Sequence, residues 1–217
     1  MKRQSRTNFC TALGLLGAFI LWTMAIKWID VQPIGPQGSA VGFAALNRFI
    51  HSSTGVHMSL YTITDWLSLV PAAFVLGFAF LGLVQWIKRK HLLAVDHSIL
   101  ALGGFYVVVM AAYVFFELCV VNYRPVLIEG VLEASYPSST TMLVMCVMPT
   151  AMMQLHVRIK NPAFRGCVMF LLAAFTGFMV IARLVSGVHW FTDIVGGALL
   201  SASLVMMYAF VSGPALT

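Results

Sequence analysis

Long apolar runs alternate with short polar intervals along this chain, and each run is long enough for about 20 residues of helix, the length that crosses a bilayer's hydrocarbon. The runs are Phe9–Ile29, Trp66–Ile87, Ile99–Val121, a stretch from the Pro137-Ser138-Ser139 turn to Leu155, Cys167–Leu184 and Phe191–Val211. The pattern predicts an all-α integral membrane protein with six transmembrane helices, one membrane-embedded domain over residues 1–217. The first run is too long for a signal-peptide core and no small-x-small site follows it, so it reads as an uncleaved span. Lys27 near its end snorkels to the interface.

The longest polar interval covers 30–65. Val31-Gln-Pro-Ile-Gly-Pro-Gln-Gly38 is a turn-rich loop. From Ser39 onward Phe43, Leu46, Phe49 and Ile50 share one helical face, with Asn47, Arg48 and His51 opposite. That is a short amphipathic segment, lying at the membrane surface or packed on the mouth of the bundle.

Composition agrees with the pattern: 60% of residues are hydrophobic and 9% charged, with a mean hydropathy of +0.92, outside the soluble globular range. The net charge of +6 does not point to nucleic acid, because the basic residues form clusters at 2–6, 88–90 and 158–165, all on one side of a six-span arrangement. The positive-inside rule then places both termini in the cytoplasm and the intervals 30–65, 122–140 and 184–190 on the extracytoplasmic side of a cell membrane. Cys10, Cys119, Cys146 and Cys167 lie in or beside apolar runs without metal-ligand spacing, as small packing residues.

So few charges make their grouping informative. Arg183-Leu-Val-Ser-Gly-Val-His189-Trp-Phe-Thr-Asp193 gathers a cation, an imidazole and a carboxylate at one span boundary. His189 and Asp193 are four apart, a spacing that puts both on one helical face. The carboxylate then holds one ring proton and leaves the other nitrogen free to attack. Ser186-Gly187 supplies a break, so that Arg183 closes one helix and His189 opens the next. The same groups merely solvating two helix ends is the alternative, and spacing alone does not separate the two.

The second informative stretch is Asn122-Tyr-Arg124-Pro125 … Tyr136-Pro137-Ser138-Ser139-Thr140-Thr141. Pro137-Ser138-Ser139 is a helix-start signal, and a helix N-terminus offers unpaired N–H groups to an anion. Arg124 and Arg183 would flank it with forked donors suited to phosphate. Glu117, just inside a span end, takes Arg124 as its expected partner. The set suits phosphoryl transfer through a histidine.

In this order, Arg124-Pro125, Pro137-Ser138-Ser139 and Arg183-x5-His189-x3-Asp193 resemble the three-part signature of the type-2 phosphatidic-acid phosphatase superfamily: Lys-x6-Arg-Pro, Pro-Ser-Gly-His and Ser-Arg-x5-His-x3-Asp. The resemblance spans roughly residues 117–193 and implies lipid phosphate hydrolysis at the extracytoplasmic face. His189 would be the nucleophile that becomes a phosphohistidine and Asp193 would orient it. Arg124, Ser138, Ser139, Thr140 and Arg183 would surround the phosphate, with no metal or organic cofactor and a membrane lipid as the sole implied partner. Three positions depart from the pattern: Glu117 replaces its lysine, Thr140 its second histidine and Ala182 its serine. Losing the histidine removes the acid that protonates the leaving group, typically worth about 10²–10⁴-fold. A phosphate leaving from a polyprenyl diphosphate such as undecaprenyl diphosphate needs that proton far less than an alkoxide does, so a diphosphate is the expected substrate. His57, Glu117, Glu129 and Glu133 are candidate substitutes for the missing acid. The competing expectations are a weakened relative that binds or moves a phospholipid or isoprenoid, and a lipid phosphotransferase.

Overall fold

The computed structural model describes residues 2–213; Met1, residues 214–217 and the side chains of Lys2 and Arg3, part of the first basic cluster, lie outside the described residues. The helices are α1 (Lys2–Trp28), α2 (Ala44–Thr54), α3 (Met58–Leu67), α4 (Leu69–Arg89), α5 (His97–Leu118), α6 (Ser139–Arg158), α7 (Pro162–Val185) and α8 (Phe191–Ser212). Among the described residues, six apolar helical stretches are long enough to span a membrane, with α3 and α4 together forming the second. The chain is an all-α, multi-pass integral membrane protein.

The spans are arranged inside out relative to a soluble protein. Helix α6 is the least hydropathic of the six, at 1.3, yet 56% of its most apolar window is buried; the α3–α4 span, at 2.3, buries 11%. Side chains such as Leu21, Leu76, Phe80, Val107 and Phe170 point outward, where lipid tails solvate them as well as a protein interior would. Buried polar groups must instead find partners inside. Thr150 Oγ1 bonds back to the Cys146 carbonyl at 2.8 Å, and Gln154 donates to the Ser98 carbonyl at 3.2 Å and to the Tyr208 hydroxyl.

Helix α8 lies between α1 and α6. Ser203 Oγ donates to the Ala12 carbonyl at 2.8 Å, and Trp22 Nε1 to the Thr192 carbonyl at 3.1 Å. The glycine pair of α8 lets the segment ahead of α6 approach closely: a Cβ on Gly196 would stand 2.4 Å from the Tyr136 ring. The Tyr136 hydroxyl meets Thr23 Oγ1 of α1 at 2.6 Å, so α1, α8 and the start of α6 lock together where the polar motifs lie.

The second span begins at Met58, not near Trp66, so the preceding polar interval is shorter than expected. Its threonines do not need water: Thr62 and Thr64 bond back to the Met58 and Leu60 carbonyls at 3.1 and 2.9 Å. Pro71, with no N–H to offer the carbonyl one turn back, accounts for the interruption at Ser68. Helix α2 is the expected amphipathic segment, and it packs on the bundle through its polar side. Asn47, fully buried, donates to the Gly42 carbonyl at 2.8 Å and to Thr192 Oγ1 at 3.0 Å, and accepts from Thr192 N at 3.2 Å. Leu46 and Phe49 are left exposed.

Candidate active site

The end of the bundle that carries α2 also carries the C-termini of α5 and α7 and the N-termini of α6 and α8. Arg124, Ser138, Arg183, His189 and Asp193 therefore converge from loops and helix ends far apart in sequence.

His189 stands just ahead of α8, on the turn that leaves α7. That turn is tight: Gly187 has φ +70°, and a Cβ there would fall 2.1 Å from the Gly55 carbonyl oxygen, so only glycine fits. The α2–α3 connection clamps it. His57 N donates to the Ser186 carbonyl at 2.9 Å and His51 Nε2 to the Gly187 carbonyl at 3.1 Å. The repeated Gly-Val-His of 55–57 and 187–189 thus meets itself across the mouth of the bundle, but the His57 ring turns to the Thr54 carbonyl, at 2.8 Å, and not to the site.

His189 is 3% exposed. Its Nε2 lies 3.3 Å from Arg124 Nη1. A guanidinium nitrogen only donates, so Nε2 is the acceptor and the ring proton sits on Nδ1. Nδ1 is 3.2 Å from the Ser135 carbonyl and 3.1 Å from Ser135 Oγ. The Ser135 hydroxyl in turn donates to Asp193 Oδ2. Asp193 is 3.9 Å from the ring; it acts through Ser135 rather than by the direct bond that the four-residue spacing suggests. The reason is local: α8 begins at Phe191, so His189 precedes the helix and the i,i+4 rule does not govern its direction.

Asp193 is fully buried and satisfied on both oxygens. Oδ1 accepts from Asn122 Nδ2 at 3.1 Å, while Oδ2 accepts from Trp190 N at 2.9 Å as well as from Ser135. A carboxylate in the first turn of α8 also faces the positive end of the helix dipole. Asn122 and Ser135 were not singled out by sequence pattern. The physical signal that points to them is the need of a buried carboxylate for donors, but that need names no position.

Arg124 pairs with Glu133, its Nε 2.9 Å from Oε2, and not with Glu117 as expected. The 122–135 loop explains this: Arg124 N bonds the Glu133 carbonyl at 3.1 Å and Ser135 N the Asn122 carbonyl at 2.9 Å, which brings 124 and 133 side by side. Arg183 is 2% exposed. It donates to Thr64 Oγ1 at 2.9 Å and the Tyr61 carbonyl at 3.3 Å, and its guanidinium carbon lies 4.6 Å over the Tyr61 ring. Its Nε is buried without a partner, a donor left over for an anion.

The helix-start reading of Pro137-Ser138-Ser139 holds: α6 begins at Ser139 and Ser138 Oγ accepts from Thr141 N at 3.5 Å. Ser138 N donates to the Asp193 carbonyl, so Ser138 ties α6 to α8. Ser139 lines a narrow cleft with His189, Ser135 and Glu117. Thr140 lines an adjoining cavity of about 280 Å³ with Asp65, Ser68 and Tyr113.

Burial, with the charges of Arg124 and Arg183 adding to it, holds the His189 imidazole well below its usual value of 6.5. A nucleophilic imidazole must be neutral. Because its folded value is depressed, neutrality persists as pH falls through 6.5 and fails only lower. If His189 is the nucleophile that the motif resemblance implies, the acid limb of a pH–rate profile for phosphate release is expected below pH 6.5; a limb at or above that value would contradict that role for the buried ring. The same sign applies to stability: the contribution is present above 6.5 and is lost as pH falls, because the unfolded chain binds the proton first.

No family model matches the chain, and no curated protein matches it. Among solved structures it superposes on a protein described as the first transmembrane PAP2 type phosphatidylglycerolphosphate phosphatase from Bacillus subtilis. The TM-score is 0.58 at 19% identity, over 91% of this chain and 94% of the other. At that identity the likeness is one of fold.

Proposed function

We propose that the chain is a membrane lipid phosphatase working through a covalent phosphohistidine at His189. The observation that carries the reading is the aim of the ring: the Nε2 lone pair faces Arg124, while the Nδ1 proton is held by Ser135, backed by Asp193. In the first step Nε2 attacks the terminal phosphorus. The bond to the lipid-side oxygen breaks, and that oxygen keeps the electron pair. Arg124, the spare Arg183 N–H and the free amides at the start of α6 would stabilise charge on the equatorial oxygens. The fold shared with a lipid phosphate phosphatase supports this reaction class.

The favoured substrate is a polyprenyl diphosphate. Thr140, where the superfamily signature has a histidine, has a hydroxyl too weakly acidic to protonate an alkoxide, and a departing phosphate needs no such help. The arrangement of basic clusters favours cytoplasmic termini and an extracytoplasmic site. The reading is tested by a phosphate-release panel of polyprenyl diphosphate and phosphatidate, combined with trapping of labelled His189 at alkaline pH. We expect label on His189 and faster release from the diphosphate. We also expect Thr140→His to raise release from phosphatidate within the 10²–10⁴-fold range of a general acid, to first order, with little change for the diphosphate. Faster phosphatidate hydrolysis by the unmodified chain would sink the substrate assignment. A non-catalytic lipid binder is the competing reading, favoured by the Glu133 carboxylate that occupies Arg124; it predicts tight lipid binding with neither label nor release.

A further inference from the structure

Glu117 stands where a phosphate-binding lysine would be expected from the motif resemblance, and the structure gives it no structural task. It lies in the last turn of α5, where the negative end of the helix dipole and the nearby bilayer both disfavour a carboxylate. Among the described residues it makes no hydrogen bond or ion pair. The other carboxylates near the site are engaged. Glu133 holds Arg124, Asp65 lies 3.9 Å from Arg183, and Asp193 is satisfied by Ser135, Asn122 and Trp190. Glu117 is the carboxylate that shares a cleft with the attacking ring of His189.

On the reading that His189 forms a phosphohistidine, we infer that Glu117 is the general base of the second half-reaction. Its carboxylate takes a proton from a water in the cleft. The water oxygen bonds to phosphorus as the P–N bond breaks, the bonding electron pair returns to Nε2, and inorganic phosphate leaves. Glu117 then gives its proton to solvent. The chemistry of the two steps divides cleanly: a diphosphate leaving group needs no acid, but hydrolysis of the phosphohistidine needs a base. Thr140, which faces the adjoining cavity, is no base. A carboxylate also repels the phosphate product beside it, which an ammonium in the same place would retain.

The test separates the half-reactions with terminally labelled polyprenyl diphosphate in detergent micelles, comparing the unmodified chain, Glu117→Gln, Glu117→Asp and His189→Ala. In Glu117→Gln the first-turnover transfer to His189 should stay within about twofold while steady-state phosphate release falls about 10²–10⁴-fold. Labelled phosphohistidine should then accumulate toward one per chain. Glu117→Asp should recover part of the release and lower the accumulated label. Equal loss in both phases without accumulated label would overturn the inference, leaving Glu117 a substrate-positioning group; so would unchanged steady-state release. Failure of the underlying reading looks different, since then neither the unmodified chain nor Glu117→Gln acquires label on His189, and the inference falls with it.

Discussion

Replacing His189 with alanine is expected to remove phosphate release down to the background, a loss on the order of 10⁶-fold, as when a covalent nucleophile is deleted from an enzyme whose groups act as a unit. The expectation rests on the number of contacts that converge on this ring. Gly187, His51 and His57 shape and hold the turn that presents it, Ser135 fixes its Nδ1 proton, and Arg124 meets its Nε2. The buried ring meets polar groups on both edges, so the variant must be checked for folding by its melting temperature in detergent. A folded variant that still releases phosphate at more than a hundredth of the normal rate would rule out His189 as the nucleophile.

The second large effect concerns the Asp193–Ser135–His189 chain. Asp193→Asn should cost about 10³–10⁴-fold in turnover, the order seen when a histidine is left in the wrong tautomer. An amide at 193 offers one acceptor where the carboxylate offers two, while Asn122, Ser135 and Trp190 all present donors. The Ser135 hydroxyl is then free to turn and donate to Nδ1, competing with the Ser135 carbonyl and Arg124 that favour the Nδ1 proton, so the tautomer with its proton on Nε2, which cannot attack, gains population. At least one buried donor loses its partner, so stability should also fall by about 1–3 kcal/mol. Ser135→Ala should cost less, about 10–100-fold as for other supporting hydrogen bonds, because the Ser135 carbonyl still accepts from Nδ1 at 3.2 Å. Steady-state rates and melting temperatures of the two variants decide the ordering. Equal losses would mean that the carbonyl cannot hold the tautomer without the hydroxyl.

The spans were legible because a bilayer imposes length and apolarity on every crossing helix, and the motif order was legible because Arg183, His189 and Asp193 are rare ionisable groups in an apolar text. The contacts between them were not. Asn122 and Ser135 reach Asp193 from 71 and 58 residues away, a closure set by the 122–135 loop geometry rather than by any period. Glu133 displaced Glu117 as the partner of Arg124 for the same reason. The start of the second span was missed because Thr62 and Thr64, which lie within the polar interval 30–65, spend their hydroxyls inside the helix.

The burial of α6, the span with the weakest apolar character, has a consequence for how the protein comes into being. A segment of mean hydropathy 1.3 partitions into lipid less readily than its neighbours. The faces that would shelter its threonines and Gln154 belong largely to α5 and α8, and α8 is made after it. The polar side of α6 is therefore fully covered only once α8 packs against it. The arrival of α8 also brings Asp193, while the turn ahead of it brings His189. On the proposed function, a chain that stops before the sixth span would lack both the attacking imidazole and the carboxylate behind it.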